Sequence, residues 1–437
     1  MFRIRTLRQP GTLATVLTAI AEHGANCGEI ETIAIAREFN IRDITVVAPG
    51  DEAVEAIRQS IAALPGVELV DQPIDKVFAL HEGGKIAITP TVEVRNLQDQ
   101  REVYTPGVAR VSSAIANDPA LGDRYTWRGN TVAIVTDGSR VLGLGDIGPA
   151  AALPVMEGKA LFYSKLVGLN AVPIVLGTSD PDEIIETVLR IAPGFGGIHL
   201  EDIATPGVYR VEDELIDRLD IPVMHDDQHG TAVVVMAAVL SAARLLDRPL
   251  HSLTFGQVGL GAAGSAIARL ASSFPFTRVL AFDPGQEAAD RLERLTAGSA
   301  TPVEVTSSGA ERVIESADVL VLTTGRPGLL SPEQVRPGSV VAAISNPLPE
   351  ITVEAALEAG AALAADGSII NNVLAYPGLF RGALTAGAPR ITTEMKRAAA
   401  VAISAAAETD LLLPDALSPE VHLRVIEAVA REAANSE

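Results

Sequence analysis

The stretch LTFGQVGLGAAGSAIARLA, residues 253–271, decides the fold of the second half of this chain. LTFGQV is an apolar run typical of a buried strand, and a glycine-rich turn leads from it into an amphipathic helix. Gly259, Gly261 and Gly264 have the spacing G-x-G-x-x-G, with Ala263 before the last glycine. Such glycines let a pyrophosphate approach the backbone where the first N–H groups of a helix favour an anion. The stretch therefore predicts a Rossmann-type dinucleotide-binding domain.

The next predicted strand, RVLAFDPG at 278–285, indicates which dinucleotide binds. Asp283 ends it, 19 residues after Gly264, where a carboxylate can accept hydrogen bonds from both ribose hydroxyls. Residues 284–287 include no arginine or lysine that would neutralise a 2′-phosphate. We therefore expect NAD rather than NADP, unless a distant basic residue takes that role. The alternative interpretation is an ordinary turn followed by a surface aspartate.

The segments around this stretch alternate between helix and strand. HGTAVVVMAAVLSAARLL (229–246) predicts a long buried helix, and DVLVLTTG (318–325) and SVVAAISNP (339–347) predict strands that end in loops. This alternation indicates an α/β fold with a doubly wound parallel sheet.

The first 80 residues follow a different pattern. A strand at 2–8 and a helix at 12–23 flank Pro10-Gly11, and further elements complete the order β-α-β-β-α-β, with strands near 28–35, 41–48 and 67–71 and a helix near 51–63. This order is typical of ferredoxin-like domains. With its Pro-Gly turn before a helix, it resembles the ACT regulatory domains, which implies a small ligand, often an amino acid, at a paired-domain interface. A dimerisation module without a ligand is an equal alternative.

Composition limits the classes of partner. The 437 residues are 48% apolar, which is typical of a globular chain, and the formal charge is -21. Such an acidic surface repels nucleic acids and anionic membranes. Cys27 is the single cysteine, so no intramolecular disulfide can form, and the N-terminus has no apolar run typical of a signal peptide. We expect a soluble, cytoplasmic homodimer or higher homo-oligomer.

Two acidic pairs point to a cation. Glu201-Asp202 in HLEDIA (199–204) follow an apolar approach, and Asp226-Asp227 in PVMHDDQHGTA (222–232) stand just before the predicted long helix. Adjacent acids at the end of a buried strand cost free energy unless a positive group meets them. Carboxylates suit Mg²⁺ or Mn²⁺ better than zinc. Separate surface or capping acids are a competitive alternative.

Seven blocks of the sequence follow one another over about residues 90–385: YTPGVA (104–109), DGSRVLGLGDIG (137–148), MEGKALFY (156–163), HLEDIA, HDDQHGTA (225–232), SNPLPE (345–350) and NNVLAYPGLFRGAL (371–384). They resemble the successive blocks of malic enzymes, in the same order. The resemblance implies oxidative decarboxylation of (S)-malate to pyruvate and CO₂ with reduction of NAD(P)⁺. An ACT-like extension is a departure from the minimal form of that family.

Together with the ACT-like pattern, the resemblance predicts four segments, and it also assigns the metal ligands. The segments are an ACT-like regulatory domain at 1–80, a substrate domain at 90–227, a Rossmann NAD-binding domain at 228–371, and a helical segment at 372–437 that packs back on the substrate domain. The implied ligands of the cation are Glu201, Asp202 and Asp227.

The resemblance also implies the catalytic residues. Lys159 matches the general base, and its pKa must fall through desolvation and the nearby metal charge for it to accept the hydroxyl proton. Asp226 matches the acid that positions this lysine. Tyr104 matches the general acid that protonates the enolate carbon, since a phenol keeps its proton at neutral pH. A solvated lysine and a packing aromatic are the alternatives.

Three further residues match substrate or cofactor contacts. Arg140 matches the arginine that binds the remaining substrate carboxylate, because a guanidinium can grip it with two hydrogen bonds. Asn346 and Asn372 match asparagines that contact substrate or nicotinamide. Asn346 could instead cap a turn beside Pro347.

Rival functions remain open on the sequence alone. Malolactic or oxaloacetate decarboxylation could use the same cation and lysine without net release of NADH. An amino-acid dehydrogenase also has a Rossmann domain, but it needs no site of three carboxylates. An ACT-type ligand sensor with a decayed catalytic body is the non-enzyme alternative, although the base, acid and ligands are all present.

Overall fold

The computed structural model describes residues 1–141 and 143–435. The chain forms two compact units, Met1–Lys85, called here the N-terminal unit, and Ile86–Glu437, called here the main unit. The division of the main unit into the predicted segments stays a prediction.

The N-terminal unit is a four-stranded antiparallel sheet with two longer helices and a short third helix. Its elements are β1 (Phe2–Leu7), α1 (Thr12–Ala21), β2 (Asn26–Ile35), β3 (Phe39–Val47), α2 (Asp51–Ala62), β4 (Val67–Leu69) and a short α3 (Lys76–His81). The strand order β2-β3-β1-β4 and the order β-α-β-β-α-β are ferredoxin-like, as predicted. Alternate residues of β1, Phe2 and Ile4, enter a core with Ile20 and Ile57 of the two helices.

The main unit begins with helices and a four-stranded parallel sheet. Its elements are α4 (Leu97–Val103), α5 (Val108–Asn117), α6 (Leu121–Tyr125), β5 (Thr131–Thr136), α7 (Gly148–Val167), β6 (Asn170–Val175), α8 (Pro181–Ile191), β7 (Gly197–Leu200), α9 (Gly207–Arg218) and β8 (Val223–His225). The sheet has the order β6-β5-β7-β8. Every residue of β5, β7 and β8 is buried, as expected for a parallel sheet that is covered on both faces.

A six-stranded parallel sheet follows, with the order β11-β10-β9-β12-β13-β14. This is the strand order 3-2-1-4-5-6 of the Rossmann fold, and it confirms the predicted doubly wound domain. The elements are α10 (Asp226–Leu245), β9 (Thr254–Val258), α11 (Ala262–Ala271), β10 (Arg278–Phe282), α12 (Gln286–Leu295), β11 (Val303–Val305), α13 (Ala310–Ser316), β12 (Val319–Leu322), β13 (Val340–Ala343), α14 (Val353–Glu358) and β14 (Leu363–Asp366).

Helix α10 begins earlier than its sequence pattern suggests. The apolar run predicts a start at His229, whereas the helix begins at Asp226, so Asp226 and Asp227 occupy its first turn rather than preceding it. Acidic side chains are favourable there because the helix N-terminus carries partial positive charge. By length and composition α10 could cross a membrane, but 67% of its apolar window is buried inside the protein, as in a core helix.

The chain ends in three helices, α15 (Tyr376–Ala386), α16 (Thr393–Ala406) and α17 (Pro419–Asn435). Helices α15 and α17 contact α7, and α16 contacts α10. Gly378 and Gly382 lie one turn apart on α15 and face Val425 and Val429 of α17. A Cβ at Gly382 would lie 2.6 Å from the Cβ of Val429, so the two helices approach closely only because glycine stands there.

We predict that Gly382→Ala lowers the thermal unfolding temperature. The new methyl group meets a stiff β-branched side chain, and the strain of overpacking, about 1–3 kcal/mol, outweighs the gain in helix propensity of up to about 1 kcal/mol. The matched control is Gly177→Ala, since nothing lies within 4 Å of a Cβ at that exposed position. Calorimetry should show a lower unfolding temperature for the first variant only; equal temperatures would contradict this account of the helix contact.

Candidate active site

The two acidic pairs lie together because their strands are neighbours. Strands β7 and β8 run parallel, with Leu200 opposite His225, and each is followed directly by an acidic pair. The carboxyl ends of parallel strands meet at one edge of a sheet, so Glu201-Asp202 and Asp226-Asp227 meet there. This edge is where ligands bind in open α/β sheets.

Glu201, Asp202 and Asp227 form a group that could hold a cation. Each offers a carboxylate oxygen, and these oxygens all lie within 4.8 Å of one another. Asp202 has a left-handed backbone with φ of 53°, and its N–H donates to Oδ2 of Asp227 at 3.1 Å. Burial, together with Asp227 and Asp226, raises the pKa of Glu201 well above its ordinary value despite the attraction of Lys159. Oxygen-only donors with excess negative charge fit Mg²⁺ or Mn²⁺.

Lys159 of α7 joins this acidic group. Its Nζ lies 2.6 Å from Oδ2 of Asp226 and 3.0 Å from Oε2 of Glu201, and it stands 4.7 Å from the ring centre of Tyr376. Burial opposes its charge, but Asp226 and Glu201 outweigh burial and raise the pKa of Lys159 well above its ordinary value. The expected fall in this pKa counted on the charge of a bound cation as well as on burial, so it stays a prediction for the site with its cation.

Asn372 is the predicted substrate contact that the structure brings to the acids. Its Nδ2 donates to Oδ2 of Asp226 at 3.2 Å and to Oγ1 of Thr231 at 3.1 Å. A Cβ at Gly230 would lie 1.8 Å from Oδ1 of Asp226, so only glycine leaves room for this carboxylate. Asn372 and Gly230 therefore fix the side chain that holds Lys159.

Arg140 and Tyr104 lie differently from the other site residues. The N–H of Arg140 donates to the carbonyl of Asp202 at 3.0 Å, so its backbone borders the acidic group while its side chain is exposed. Tyr104 is 67% exposed at the end of α4. Within residues 1–141 and 143–435, no hydrogen bond joins its hydroxyl to Lys159 or to the acids. The catalytic role of Tyr104 stays a prediction.

The glycine loop has the backbone that its sequence predicts. Gly259 has φ of 91°, and a Cβ at Gly264 would lie 1.9 Å from the carbonyl oxygen of Gly259, whereas nothing lies within 4 Å of a Cβ at Gly261. Ala263 is in the first turn of α11. The space beside Gly261 is what the approach of a pyrophosphate requires.

Asp283 and Asn346 lie at the same edge of the nucleotide sheet as the glycine loop. Asp283 follows β10, and its Oδ2 accepts from the N–H of Leu260 at 2.7 Å, which ties the carboxylate to the loop. Asn346 follows β13 and is exposed. Their positions suit contacts with ribose and nicotinamide, respectively.

Three buried aromatic residues near the acids were missed by the sequence reasoning. The hydroxyl of Tyr163 and Nδ1 of His199 are 2.8 Å apart, and Nε2 of His199 lies 2.7 Å from Oε2 of Glu201. Burial lowers the pKa of His199 to about 3 and, with the charges of the neighbouring groups, raises that of Tyr163. Tyr376 completes the set. All three lie inside the quoted blocks, which was the available signal.

Glu212 is a further residue that sequence reasoning missed, because it reads as an ordinary acid of an amphipathic helix. It is 4% exposed on α9 and accepts from the N–H of His225 and from Nε2 of Gln228, both at 2.7 Å. Nε2 of His229 lies 3.1 Å away. Burial opposes its ionisation, but His229 outweighs burial and lowers the pKa of Glu212 to about 2. Glu212 therefore holds the segment that carries Asp226 and Asp227.

A doubly wound nucleotide sheet joined through α10 to a buried site of carboxylates and lysine defines a dinucleotide-linked oxidoreductase of the α/β class. The family model described as malic enzyme, N-terminal domain, matches residues 83–216. NAD-dependent malic enzyme 1 of Bacillus subtilis is 45% identical over 98% of this chain and 96% of its own length. NAD-dependent malic enzyme of Geobacillus stearothermophilus is 39% identical over 97% and 91%.

Solved structures agree with these relatives. The crystal structure of malic enzyme from Pyrococcus horikoshii is 38% identical, with a TM-score of 0.75 over 83% of this chain and 90% of that one. NAD-dependent malic enzyme from Thermotoga maritima is 37% identical, with the same TM-score over 82% and 99%. The chain belongs to the malic enzyme family.

We predict that acid destabilises the protein partly through His229. Burial lowers the pKa of His229 from 6.5 to about 4, so the unfolded chain binds the proton first as pH falls through that range. The contribution to the free energy of unfolding is present above pH 6.5 and is lost at about 1.4 kcal/mol per pH unit as the pH falls from 6.5 to about 4. Denaturant unfolding between pH 7 and 4 should show a shallower pH slope for His229→Gln, whereas His251→Gln, at an exposed site, should keep the full slope. If His229→Gln and the wild type showed the same pH slope, His229 would not be a cause of the destabilisation by acid.

Proposed function

We propose that this protein catalyses the metal-dependent oxidative decarboxylation of (S)-malate to pyruvate and CO₂ with reduction of NAD⁺. The observation that carries the proposal is the convergence of Glu201, Asp202 and Asp227 beside Lys159. A divalent cation held by those three carboxylates would supply charge stabilisation to substrate oxygens, and NAD would accept the hydride.

The residues of the chain have distinct parts in this proposal. Lys159 would accept the proton of the C2 hydroxyl once the charge of a bound cation has lowered its pKa, and Asp226, with Asn372, holds its amine in place. Arg140 grips the substrate carboxylate that the cation leaves free. Tyr104 donates a proton to C3 after CO₂ departs. We propose that movement of the YTPGVA segment, or assembly of a homo-oligomer, covers the exposed Tyr104 during this step.

The cofactor proposed is NAD, with Mg²⁺ or Mn²⁺ as the cation. Asp283 is tied to the glycine loop, and residues 284–287 carry no cation for a 2′-phosphate. The two relatives quoted above are NAD-dependent, while the NADP-dependent malic enzyme of Escherichia coli is less similar, at 35% identity over 84% of this chain. Gly259, Gly261, Ala263 and Gly264 would receive the pyrophosphate.

A second activity is supported by one relative. The bifunctional malic/malolactic enzyme of Bacillus subtilis is 40% identical over 81% of this chain. The same base and carboxylates would serve malolactic conversion if NADH stayed bound and reduced pyruvate to lactate. We propose oxidative decarboxylation as the main activity, carried out in the cytoplasm.

The central test is an absorbance assay at the NADH wavelength with (S)-malate, Mn²⁺ and either NAD or NADP. We expect NADH formation that EDTA abolishes, with kcat/KM for NAD more than tenfold above that for NADP. Lys159→Met should lower kcat about 100-fold or more, since general acid–base catalysis contributes that much. Lys165→Met, at an exposed position of the same helix, is the matched control and should keep activity. Lactate without NADH would favour the malolactic activity instead.

We also propose that the N-terminal unit is an ACT-like domain that binds a small effector. A cavity of about 390 Å³ lies at the turn before α1, and its lining includes Thr6, Arg8, Gly11 and Arg42. A ligand there regulates malate turnover only if it binds the active and inactive states with different affinity.

We predict that an amino acid or small organic acid changes malate turnover in the full chain. Deletion of residues 1–80 should abolish the change, and Arg8→Ala should weaken it, because the cavity would lose a cation. Arg37→Ala, at an exposed position outside the cavity, is the matched control. Steady-state rates with a panel of effectors measure this. Identical responses before and after the deletion would reject an effector site in this unit.

A further inference from the structure

We propose that Tyr163 and His199 are positioning residues that set the affinity for the divalent cation by fixing which oxygen of Glu201 faces it. This inference rests on the proposed cation site and adds the hydrogen-bond chain Tyr163–His199–Glu201 to it. This series of hydrogen bonds starts at Tyr163 on α7, passes through His199 on β7, and ends at Glu201, the first acid of HLEDIA.

The distances give one oxygen of Glu201 two partners. Oε2 lies 2.7 Å from Nε2 of His199 and 3.0 Å from Nζ of Lys159. A carboxylate oxygen that already accepts from two donors is a poor ligand for a cation, so Oε1 is the oxygen that remains for it. Without His199, the carboxylate could rotate and offer either oxygen.

The protons of the chain follow from the same geometry. A carboxylate that binds a cation is ionised and only accepts hydrogen bonds, so Nε2 of His199 must carry a hydrogen. In a neutral imidazole Nδ1 is then an acceptor, and the hydroxyl of Tyr163 donates to it. Both residues are 0% exposed, so the protein rather than solvent supplies the donor that fixes this tautomer.

Ring contacts prevent His199 from turning away. Its ring stacks on that of Phe380, with centroids 5.7 Å apart and an interplanar angle of 22°. The ring of Tyr376 meets it at 88° with centroids 5.3 Å apart, and the ring of Tyr163 meets it edge-on at 5.8 Å. A clamped imidazole holds Glu201 in one orientation before the cation arrives, which reduces the ordering cost of binding.

The partners of Glu201 also matter for the cation. Lys159 already places one ammonium 3.0 Å from Oε2 of this carboxylate, and an ammonium repels an incoming divalent ion. His199 orients the same carboxylate through a ring nitrogen 2.7 Å from Oε2. Hydrogen-bond partners of metal ligands typically change metal affinity 10- to 100-fold when they are removed.

The test measures Mn²⁺ binding directly, without malate, from the free Mn²⁺ signal in electron paramagnetic resonance. Tyr163→Phe removes only the hydroxyl and keeps the ring contacts, and we expect its dissociation constant for Mn²⁺ to rise about tenfold. His199→Gln should raise it as well, and the double variant should be no weaker than the weaker single variant, because the two residues act through one chain.

The matched control is Ser241→Ala, which removes a buried hydroxyl whose partner is Ser404, 2.9 Å away on another helix. It should bind Mn²⁺ as the wild type does. Thermal unfolding of the metal-free proteins separates loss of affinity from loss of fold, and malate turnover of Tyr163→Phe should recover at saturating Mn²⁺.

The outcomes are distinguishable. A folded Tyr163→Phe protein with wild-type Mn²⁺ affinity overturns the inference and leaves the proposed function intact. If Tyr163→Phe is unstable, unchanged affinity in His199→Gln overturns it equally. A wild-type protein that binds no Mn²⁺ overturns the cation site and the proposed function with it. Losses of Mn²⁺ affinity that add up in the double variant would also contradict the inference, because they would show that the two residues do not act through one series of hydrogen bonds.

Discussion

The structure depends on the balance of charge in one buried place. Glu201, Asp202, Asp226 and Asp227 lie at the ends of two neighbouring strands, and Lys159 is the ammonium that reaches between two of them. Besides Lys159, Nε2 of His225 lies 3.0 Å from Oδ2 of Asp227. Burying a charge costs several kcal/mol for each ion, so these contacts matter for stability. The acids lie at strand ends and in the first turn of α10, and the partial positive charge of the helix N-terminus offsets part of that cost.

Much of the surrounding structure supports this balance. Gly230 leaves room for Asp226, Asn372 donates to it, and Glu212 ties down the segment on either side of Asp227. Helices α15 and α17 pack closely and hold Tyr376 over Lys159. The packing of α15 and α17 therefore acts together with the hydrogen bonds beside the acids, because both keep charged groups at fixed distances.

The sequence predicted the parts of this structure that are written in local patterns. The Rossmann strand order and the ferredoxin-like N-terminal unit followed from periodicity and glycine turns, and the meeting of the acidic pairs followed from ordered motifs. The hydrogen-bond networks of buried side chains could not be predicted from such local patterns. Glu212 looks like a surface acid on its helix, and the partners of His199 are distant in sequence. The pKa of Lys159 depended on exact distances to two carboxylates, which no motif gives.

Helix α10 has a consequence for engineering this fold. Its first turn carries two of the acids, and its remaining turns pack on α11, which follows the glycine loop. A single helix therefore connects the two parallel sheets. The boundary between the predicted substrate and NAD-binding domains, residues 227–228, is the obvious junction for a chimera of two relatives. A junction there would fall inside the first turn of α10. It would combine the acids of one parent with the helix core of the other. Recombination between relatives should therefore transfer β8 and α10 as one piece.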